Sequence, residues 1–255
     1  TFAPREEISL KPEEFLPGEI LLDTEDLQSA GFSSPDLFRS PRYPGKIVRR
    51  EVRFDLNNVT SDSLRLRLST AKKVFSDFDG RPNMNVAPFS YYIGVDEDSE
   101  TPYLYTVVDE VNGESLDRSS MDPEKFAAAD MFLSDFVSDI WEKFESGKPY
   151  WSEYKNEQVV FGTAGDDAEP KCYIVDVEPL YREFRDRMSQ SKEEQLLRYL
   201  DHIYTQGCIL EKRDAGESIR LDRFRKSIRS IVEKVSVHDD DQLSLRLRDS
   251  LLRLV

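Results

Sequence analysis

Hydrophobic positions alternate with polar ones in some segments of this chain and recur every three or four residues in others. Residues 46–54, 88–95 and 103–111 carry β-branched and alternating side chains. A period of two is typical of half-buried strands, so we predict a strand in each segment. The acidic stretch 96–100 separates the last two strands, which favours a hairpin.

Apolar side chains recur at helical intervals between Leu64 and Phe78. Because positions three and four apart share one face of a helix, this pattern predicts a helix with one buried side. Thr60 or Ser61 can cap its start, and Gly80 would end it.

A second, longer helix is predicted after Asp122, because an Asp followed by a Pro is a strong helix start. A broad apolar stripe follows until Gly147. The stripe consists of Phe126, Leu133, Phe136, Val137, Ile140, Trp141 and Phe144. We expect this helix to be deeply buried, with its aromatic residues serving in packing.

The rest of the chain adds short strands and then helices. Residues 159–161 and 172–175 predict a small hairpin, and 179–255 predicts three or four helices with a loop near 214–216. The first forty residues mix Pro, Ser, Gly and acids with short apolar runs, which indicates edge strands and loops. This order of elements is typical of an α+β fold.

The charge balance narrows the class of partner. Acidic residues number 50 against 35 Lys and Arg, which gives a formal net charge of −15. This excess disfavours a broad phosphate-binding surface, so we expect no nucleic-acid partner. No stretch approaches the ~20 consecutive apolar residues of a membrane span, and the start lacks a secretory pattern. We therefore expect a cytoplasmic protein with no membrane association.

Cysteine and histidine usage excludes several kinds of site. Cys172 and Cys208 are far apart and lack paired metal-ligand spacing, so we expect them to be reduced. His202 and His238 are the two histidines of the chain. They offer little for a histidine-rich metal site or a Ser-His-Asp triad.

Residues 104–116 read Leu-Tyr-Thr-Val-Val-Asp-Glu-Val-Asn-Gly-Glu-Ser-Leu. They resemble the fifth strand and hinge of protein kinases. In that family the hinge backbone hydrogen-bonds the adenine ring of ATP, which backbone groups can do with almost any side chain. The resemblance implies that Asp109, Glu110 and Val111 form the hinge.

Residues 153–161 read Glu-Tyr-Lys-Asn-Glu-Gln-Val-Val-Phe and resemble the kinase catalytic loop Asp-Leu-Lys-Pro-Glu-Asn with the apolar strand after it. By this resemblance Glu153 takes the place of the catalytic Asp, Lys155 that of the loop lysine, and Gln158 that of the metal-binding Asn. Both end positions are longer by one methylene. Misplacing a catalytic group by roughly 1 Å costs about a hundredfold in rate, so any activity would be impaired.

Asp176 stands where protein kinases have the Asp of the Asp-Phe-Gly motif, with Val177 and Glu178 in place of Phe and Gly. In phosphoryl transfer one carboxylate orients the attacking hydroxyl, while another carboxylate and an amide hold magnesium against the phosphates. The resemblance thus implies that Gln158 and Asp176 bind Mg²⁺. Asp176 with Glu178 is a second possible ligand pair.

Lys46 is our choice for the strand lysine that pairs with phosphates, with Arg49 and Arg50 as open alternatives. Several features of the family are missing. No Gly-x-Gly-x-x-Gly loop precedes Lys46, and the helix 61–78 contains no Glu to pair with it. No Ala-Pro-Glu motif follows Pro179.

The resemblance implies a two-lobed protein-kinase-like fold. Residues 1–114 would form a small strand-rich N-lobe with one core helix, and 115–255 a mainly helical C-lobe with the catalytic-loop hairpin. Glu153, Gln158 and Asp176 should then converge in one cleft beneath the hinge.

Three functions are open at this level. The first is a pseudokinase that acts by contact with another protein and binds nucleotide weakly or not at all. The second is an atypical phosphotransferase with ATP and Mg²⁺ as cofactors, Glu153 as base or substrate orienter and Lys46 on the phosphates. The third is an unrelated acidic α+β interaction protein, for which the loop match would be accidental.

Overall fold

The structure, a computed structural model, describes residues 24–31, 36–52, 56, 59–95, 102–117, 122–165, 169–211, 220–238 and 241–255. Over these ranges the protein is mixed α+β. The helices are α1 (Ser61–Ser76), α2 (Pro123–Ser146), α3 (Lys192–Glu211), α4 (Asp222–Lys234) and α5 (Gln242–Leu254). The strands are β1 (Gln28–Ser29), β2 (Leu37–Arg39), β3 (Lys46–Arg50), β4 (Asn85–Val86), β5 (Phe89–Val95), β6 (Pro102–Asp109), β7 (Asn112–Ser115), β8 (Tyr150–Trp151), β9 (Val159–Thr163), β10 (Lys171–Ile174) and β11 (Tyr181–Arg182).

The first of two compact units contains the described residues within 1–72, 87–110 and 177–179. Its centre is a five-stranded antiparallel sheet with the strand order β1-β2-β3-β6-β5. β5 and β6 pair with Tyr92 opposite Tyr105, which confirms the predicted pairing of these two strands. Their acidic connection, 96–100, lies outside the described residues.

One face of β3 and β6 forms a core of this sheet, because every second side chain of a strand points to the same face. Val48, Tyr105 and Val107 are buried together. Partly buried residues that pack against them are Leu27, Phe38, Tyr43, Tyr92 and Tyr103.

The strand β3 is shorter than the predicted span of 46–54. It ends at Arg50, and the N–H of Val52 turns back to the carbonyl of Arg50 (3.1 Å). The side chain of Val52 is exposed, so the chain leaves the sheet at this point. The residues 53–55 are outside the described part.

Helix α1 begins as predicted and ends in a tighter turn. Thr60 is the capping residue, since its hydroxyl accepts a hydrogen bond from the N–H of Ser63 (3.3 Å). The α-helix ends at Ser76, and Asp77–Gly80 continue as a turn of 3₁₀-helix. The helical segment therefore stops at the predicted glycine.

The second compact unit contains the described residues within 73–86, 111–176 and 180–255. Its central helix is α2, which begins and ends where the sequence predicted. The side chain of Asp122 accepts a hydrogen bond from the N–H of Lys125 (2.8 Å). At the other end Gly147 adopts a left-handed conformation (φ 65°) that other residues rarely take.

In the last turns of α2, the buried residues differ from those of the predicted apolar stripe. Phe136 is fully buried, but Trp141 and Phe144 are only half-buried and stack on each other. The helix instead buries Asp139 and Lys143, which form an ion pair one turn apart (2.9 Å). Desolvation raises the pKa of Asp139 and lowers that of Lys143, so each group depends on its partner to remain charged.

A four-stranded sheet of order β4-β10-β9-β7 lies in the second unit. β9 and β10 are antiparallel, as predicted for the small hairpin. The strand β7 follows directly after the segment that resembles the kinase hinge, and the sequence pattern does not predict it. In the pairing of β7 and β9, Gly113 lies opposite Gly162. A Cβ on Gly113 would lie 2.1 Å from the carbonyl oxygen of Phe161, so this close strand pair requires glycine.

The last third of the chain forms α3, α4 and α5, in agreement with the predicted helices. The predicted loop 214–216 lies outside the described residues. Cys172 is buried, and burial raises the pKa of its thiol to about 12, so the thiol stays protonated. Among the helices described, none has the length and apolar character needed to cross a membrane.

Candidate functional site

The loop between β8 and β9 carries the residues that resemble a kinase catalytic loop. Asn156–Gln158 form one turn of 3₁₀-helix, and Gln158 makes two hydrogen bonds to the backbone of Lys155 across this turn. Its side-chain Oε1 accepts from the N–H of Lys155 (2.7 Å), and its own N–H donates to the carbonyl of Lys155 (3.0 Å). The side chain of Gln158 therefore closes the turn.

Gln158 also contacts Asp176, which lies 18 residues later in the chain. Its Nε2 donates to Oδ2 of Asp176 (2.9 Å), and its carbonyl accepts from the N–H of Val175 (3.0 Å). Two of the residues assigned to magnesium by the resemblance are thus neighbours in the second unit.

These contacts fix the orientation of the Gln158 amide. A backbone N–H can only donate, so the atom facing Lys155 must be the oxygen. A carboxylate accepts hydrogen bonds, so the atom facing Asp176 must be the nitrogen. The amide oxygen consequently points to the loop backbone and away from the carboxylate.

One face of helix α3 forms hydrogen bonds to the backbone of the same loop and of the strand β8 before it. The hydroxyl of Tyr199 donates to the carbonyl of Trp151 (2.6 Å). Nε2 of His202 lies 2.7 Å from the carbonyl of Tyr154, which can only accept, so this nitrogen carries the proton. Sequence reasoning missed these contacts, although three- and four-residue spacing places Tyr199, His202 and Gln206 on one face of α3.

Asn156 makes two hydrogen bonds between the loop and Gln206 of α3. Its N–H donates to Oε1 of Gln206 (3.2 Å), and its Nδ2 donates to the carbonyl of Gln206 (2.9 Å). Its Oδ1 accepts from the hydroxyl of Tyr154 (2.8 Å). Asn156 is buried, so these bonds satisfy an amide that would otherwise be costly to desolvate. In the kinase motif this position is a proline.

Burial keeps the tyrosines around the loop neutral. It raises the pKa of Tyr154 and of Tyr199 well above the usual range, and the carboxylate of Glu153 adds to the effect on Tyr199. Both hydroxyls therefore remain donors over the accessible pH range.

The two residues assigned to catalysis differ in exposure. Glu153 is half-buried and lies near Tyr199. Lys155 is exposed, and its Nζ lies 3.6 Å from the carboxylate of Glu157. An exposed pair of this kind contributes little to stability.

The residues assigned to the hinge belong to different compact units. Asp109 and Glu110 belong to the first unit, and the half-buried Val111 belongs to the second. The N–H of Asp109 donates to the carbonyl of Pro88 (2.8 Å), and that of Glu110 donates to the carbonyl of Gly45 (2.9 Å). Two backbone donors of the segment are thus engaged within the protein.

Lys46 lies directly opposite Asp109 in the pairing of β3 with β6, and their side chains form an ion pair. The carboxylate of Glu110 is bound by both terminal nitrogens of Arg39. The acidic side chains of the hinge segment therefore have cationic partners.

The two alternatives to Lys46 have other partners. Arg49 pairs with the carboxylate of Glu178 and lies 3.7 Å from that of Glu51. Arg50 pairs with Asp36 (2.9 Å). All three cationic side chains of β3 thus have acidic partners within the first unit.

Groups of three or more His, Cys, Asp or Glu residues that could hold a metal ion do not occur in the described part of the chain. A scan against protein-family models found no match, and a search of curated proteins found no similar sequence. The resemblance to protein kinases therefore stays a hypothesis drawn from the residues of this chain.

Proposed function

We propose that this chain is a kinase-fold protein whose altered catalytic positions serve to hold its own structure. It would act as a pseudokinase through contacts with another protein, and bind nucleotide weakly or not at all. The observation that carries this proposal is the orientation of the Gln158 amide between Lys155 and Asp176.

A magnesium ion shared by Gln158 and Asp176 would need oxygen atoms from both side chains facing one another, because Mg²⁺ binds oxygen ligands. Here the amide nitrogen faces the carboxylate, and the oxygen closes the loop turn. Turning the amide over would place its NH₂ group against the N–H of Lys155, which is also a donor. The pair as arranged does not fit the metal.

The other groups assigned to nucleotide binding are also engaged. Lys46 pairs with Asp109, and Arg49 pairs with Glu178. Glu178 stands where the family has glycine, and it is buried. A phosphate group would have to displace these carboxylates, which lowers its affinity by the energy of the broken pairs.

The hinge segment supports the same conclusion. Adenine recognition needs free backbone donors and acceptors, and the N–H groups of Asp109 and Glu110 already donate to Pro88 and Gly45. Weak nucleotide binding is the expected consequence.

An atypical phosphotransferase is the second candidate, favoured by the proximity of Gln158 and Asp176 (2.9 Å). In that version Glu153 would orient the attacking hydroxyl, and Lys46 would leave Asp109 for the phosphates. The loop would need to rearrange to turn the amide oxygen towards Asp176.

Thermal unfolding in the presence of ATP and Mg²⁺ tests the proposal. A ligand at about 100 times its dissociation constant adds about 2.7 kcal/mol to the free energy of unfolding. For a chain of this size that corresponds to a rise of roughly 5–11 °C in the unfolding midpoint. We expect no rise that requires both ATP and Mg²⁺.

The variant Asp176→Asn is measured beside the natural chain, with Glu157→Gln as a matched control on the exposed side of the same loop. A large shift that needs both components and disappears only in Asp176→Asn would contradict the proposal. Production of ADP from ATP by the natural chain, lost in the same variant, would establish the second candidate instead.

A further inference from the structure

Helix α5 carries three leucines and a serine in a row along one side. Leu243, Leu247, Ser250 and Leu254 follow one another at spacings of four, three and four residues. We call these four residues the leucine seam. The residues Leu243 and Leu254 are 44% and 49% exposed, and Leu247 is half-buried. This alternation of threes and fours is the spacing by which one helix packs along another in a coiled coil.

The side of α5 that adjoins the seam across from the arginines described below is fixed in the protein. Ser244 and Leu251, each one residue after a seam position, are buried there. At the start of the helix, the side chain of Asp241 accepts from the N–H of Ser244 (3.1 Å) and from the hydroxyl of Ser191 (2.9 Å).

The end of α5 is held as well. The carbonyl of Leu254 accepts from the hydroxyl of Tyr204 (2.8 Å) and from Nη1 of Arg225 (2.8 Å). Because both ends are anchored, the helix cannot rotate to bury the leucine seam. The seam is a preformed surface, which reduces the ordering cost of binding.

Arginines border this seam along one edge. Arg246 and Arg253 are exposed and lie seven residues apart, each directly before a leucine of the seam. In the heptad pattern this is the flanking position whose charge selects the partner helix. Within the described residues, neither arginine has an ion-pair partner.

We propose that the leucine seam docks an amphipathic helix of another protein, with apolar residues at heptad spacing and Asp or Glu along the edge that meets Arg246 and Arg253. This names the partner class for the protein-contact role proposed above, on which it rests. A second copy of the chain would bring the same arginines together, and like charges at flanking positions repel. The net charge of −15 opposes nucleic acid and anionic membranes.

Binding of designed helical peptides tests the docking surface. One labelled three-heptad peptide carries leucine at the core positions and glutamate at the flanking positions, and a matched peptide carries lysine in place of glutamate. We expect the natural chain to bind the glutamate peptide and not the lysine peptide. The double variant Arg246→Glu/Arg253→Glu should bind the glutamate peptide at least about tenfold more weakly and should now bind the lysine peptide.

Lys226→Glu/Arg229→Glu on the exposed side of α4 makes the same change in net charge and should leave the peptide preference unaltered. Leu243→Gln/Leu254→Gln should abolish binding while leaving the unfolding temperature unchanged, since both side chains are exposed. Equal binding of the two peptides, or no binding of either, would overturn the proposal.

Two further measurements exclude other occupants. Self-association of the natural chain that is lost in Leu243→Gln/Leu254→Gln would assign the surface to a second copy, and seam-dependent binding to phosphatidylserine vesicles would assign it to a membrane. Either result would overturn the proposal. The nucleotide titration does not depend on peptide binding. A negative peptide result would therefore contradict the docking surface without contradicting the pseudokinase proposal.

Discussion

At the scale of single residues, Gln158 is the side chain on which the arrangement of the loop depends most. It is 8% exposed and bonds to Lys155 and to Asp176. A shorter Asn at this place would have to shift to reach both partners, so the added methylene suits the structural role. The same feature that departs from the kinase motif thus serves to connect the loop to Asp176.

We predict that Gln158→Ala lowers the free energy of unfolding by about 1–3 kcal/mol, because it removes the hydrogen bonds of Gln158 to the N–H of Lys155 and to the carboxylate of Asp176. Urea unfolding at neutral pH measures the difference. Glu157→Ala is the control, since its side chain is exposed and its pair with Lys155 contributes about 1 kcal/mol at most. Equal stability of Gln158→Ala and the natural chain would show that the bonds seen here are not formed in solution.

At the scale of elements, helix ends and helix faces position the functional segments. The start of α5 illustrates this, because Asp241 caps the helix with its side chain. The hydrogen bond from the hydroxyl of Ser244 lowers the pKa of Asp241 most. The N–H of Ser244 and the hydroxyl of Ser191 lower this pKa further. A carboxylate whose pKa is lower in the folded state stabilises the fold above its unfolded pKa of about 3.9 and loses that contribution as the pH falls through the folded value.

We predict that Asp241→Asn is less stable than the natural chain at neutral pH and that this difference shrinks as the pH falls below about 4. Asparagine is also a good capping residue, so its amide oxygen can still accept from the N–H of Ser244. The variant removes the charge and the second acceptor oxygen, which binds the hydroxyls of Ser191 and Ser244. Urea unfolding of both proteins at a series of pH values measures the difference. If the difference in stability stays constant with pH, the negative charge of Asp241 does not contribute to the stability of the fold.

At the scale of the whole molecule, the formal charge of −15 opposes folding through repulsion between acidic side chains. Many of the cations on the sheet of the first unit are already paired with carboxylates, as Lys46 is with Asp109 and Arg50 with Asp36. These exposed and half-exposed pairs contribute little each, so the net repulsion should dominate the response to salt.

We predict that raising the NaCl concentration from about 10 mM to about 150 mM, which shortens the screening length from about 30 Å to about 8 Å, raises the unfolding temperature. An increase of roughly 2–4 °C would correspond to about 1 kcal/mol for a chain of this size. Calorimetry at both salt concentrations measures it, with KCl as a control for effects of the cation. A fall in the unfolding temperature would show that local ion pairs outweigh the overall repulsion.

The sequence by itself determined the elements whose signals are local. The cap at Asp122, the glycine at Gly147 and the repeat of apolar residues in α1 depend on neighbours within one or two helical turns, so the pattern of the chain is enough to locate them. The pairing of β5 with β6 follows in the same way from two alternating segments close in the chain.

Tertiary structure alone decided the contacts that span distant parts of the chain. Gln158 meets Asp176 across 18 residues, and Asn156 meets Gln206 across 50. The strand β7 pairs with β9 with Gly113 opposite Gly162, and Asp139 of α2 accepts a hydrogen bond from Nε of Arg81 across 58 residues (3.4 Å). A hydrophobic period indicates which face of an element is buried. It does not indicate which polar group from another element will lie against that face. That choice depends on the packing of all the elements together, and it is the choice that sets the direction of the Gln158 amide.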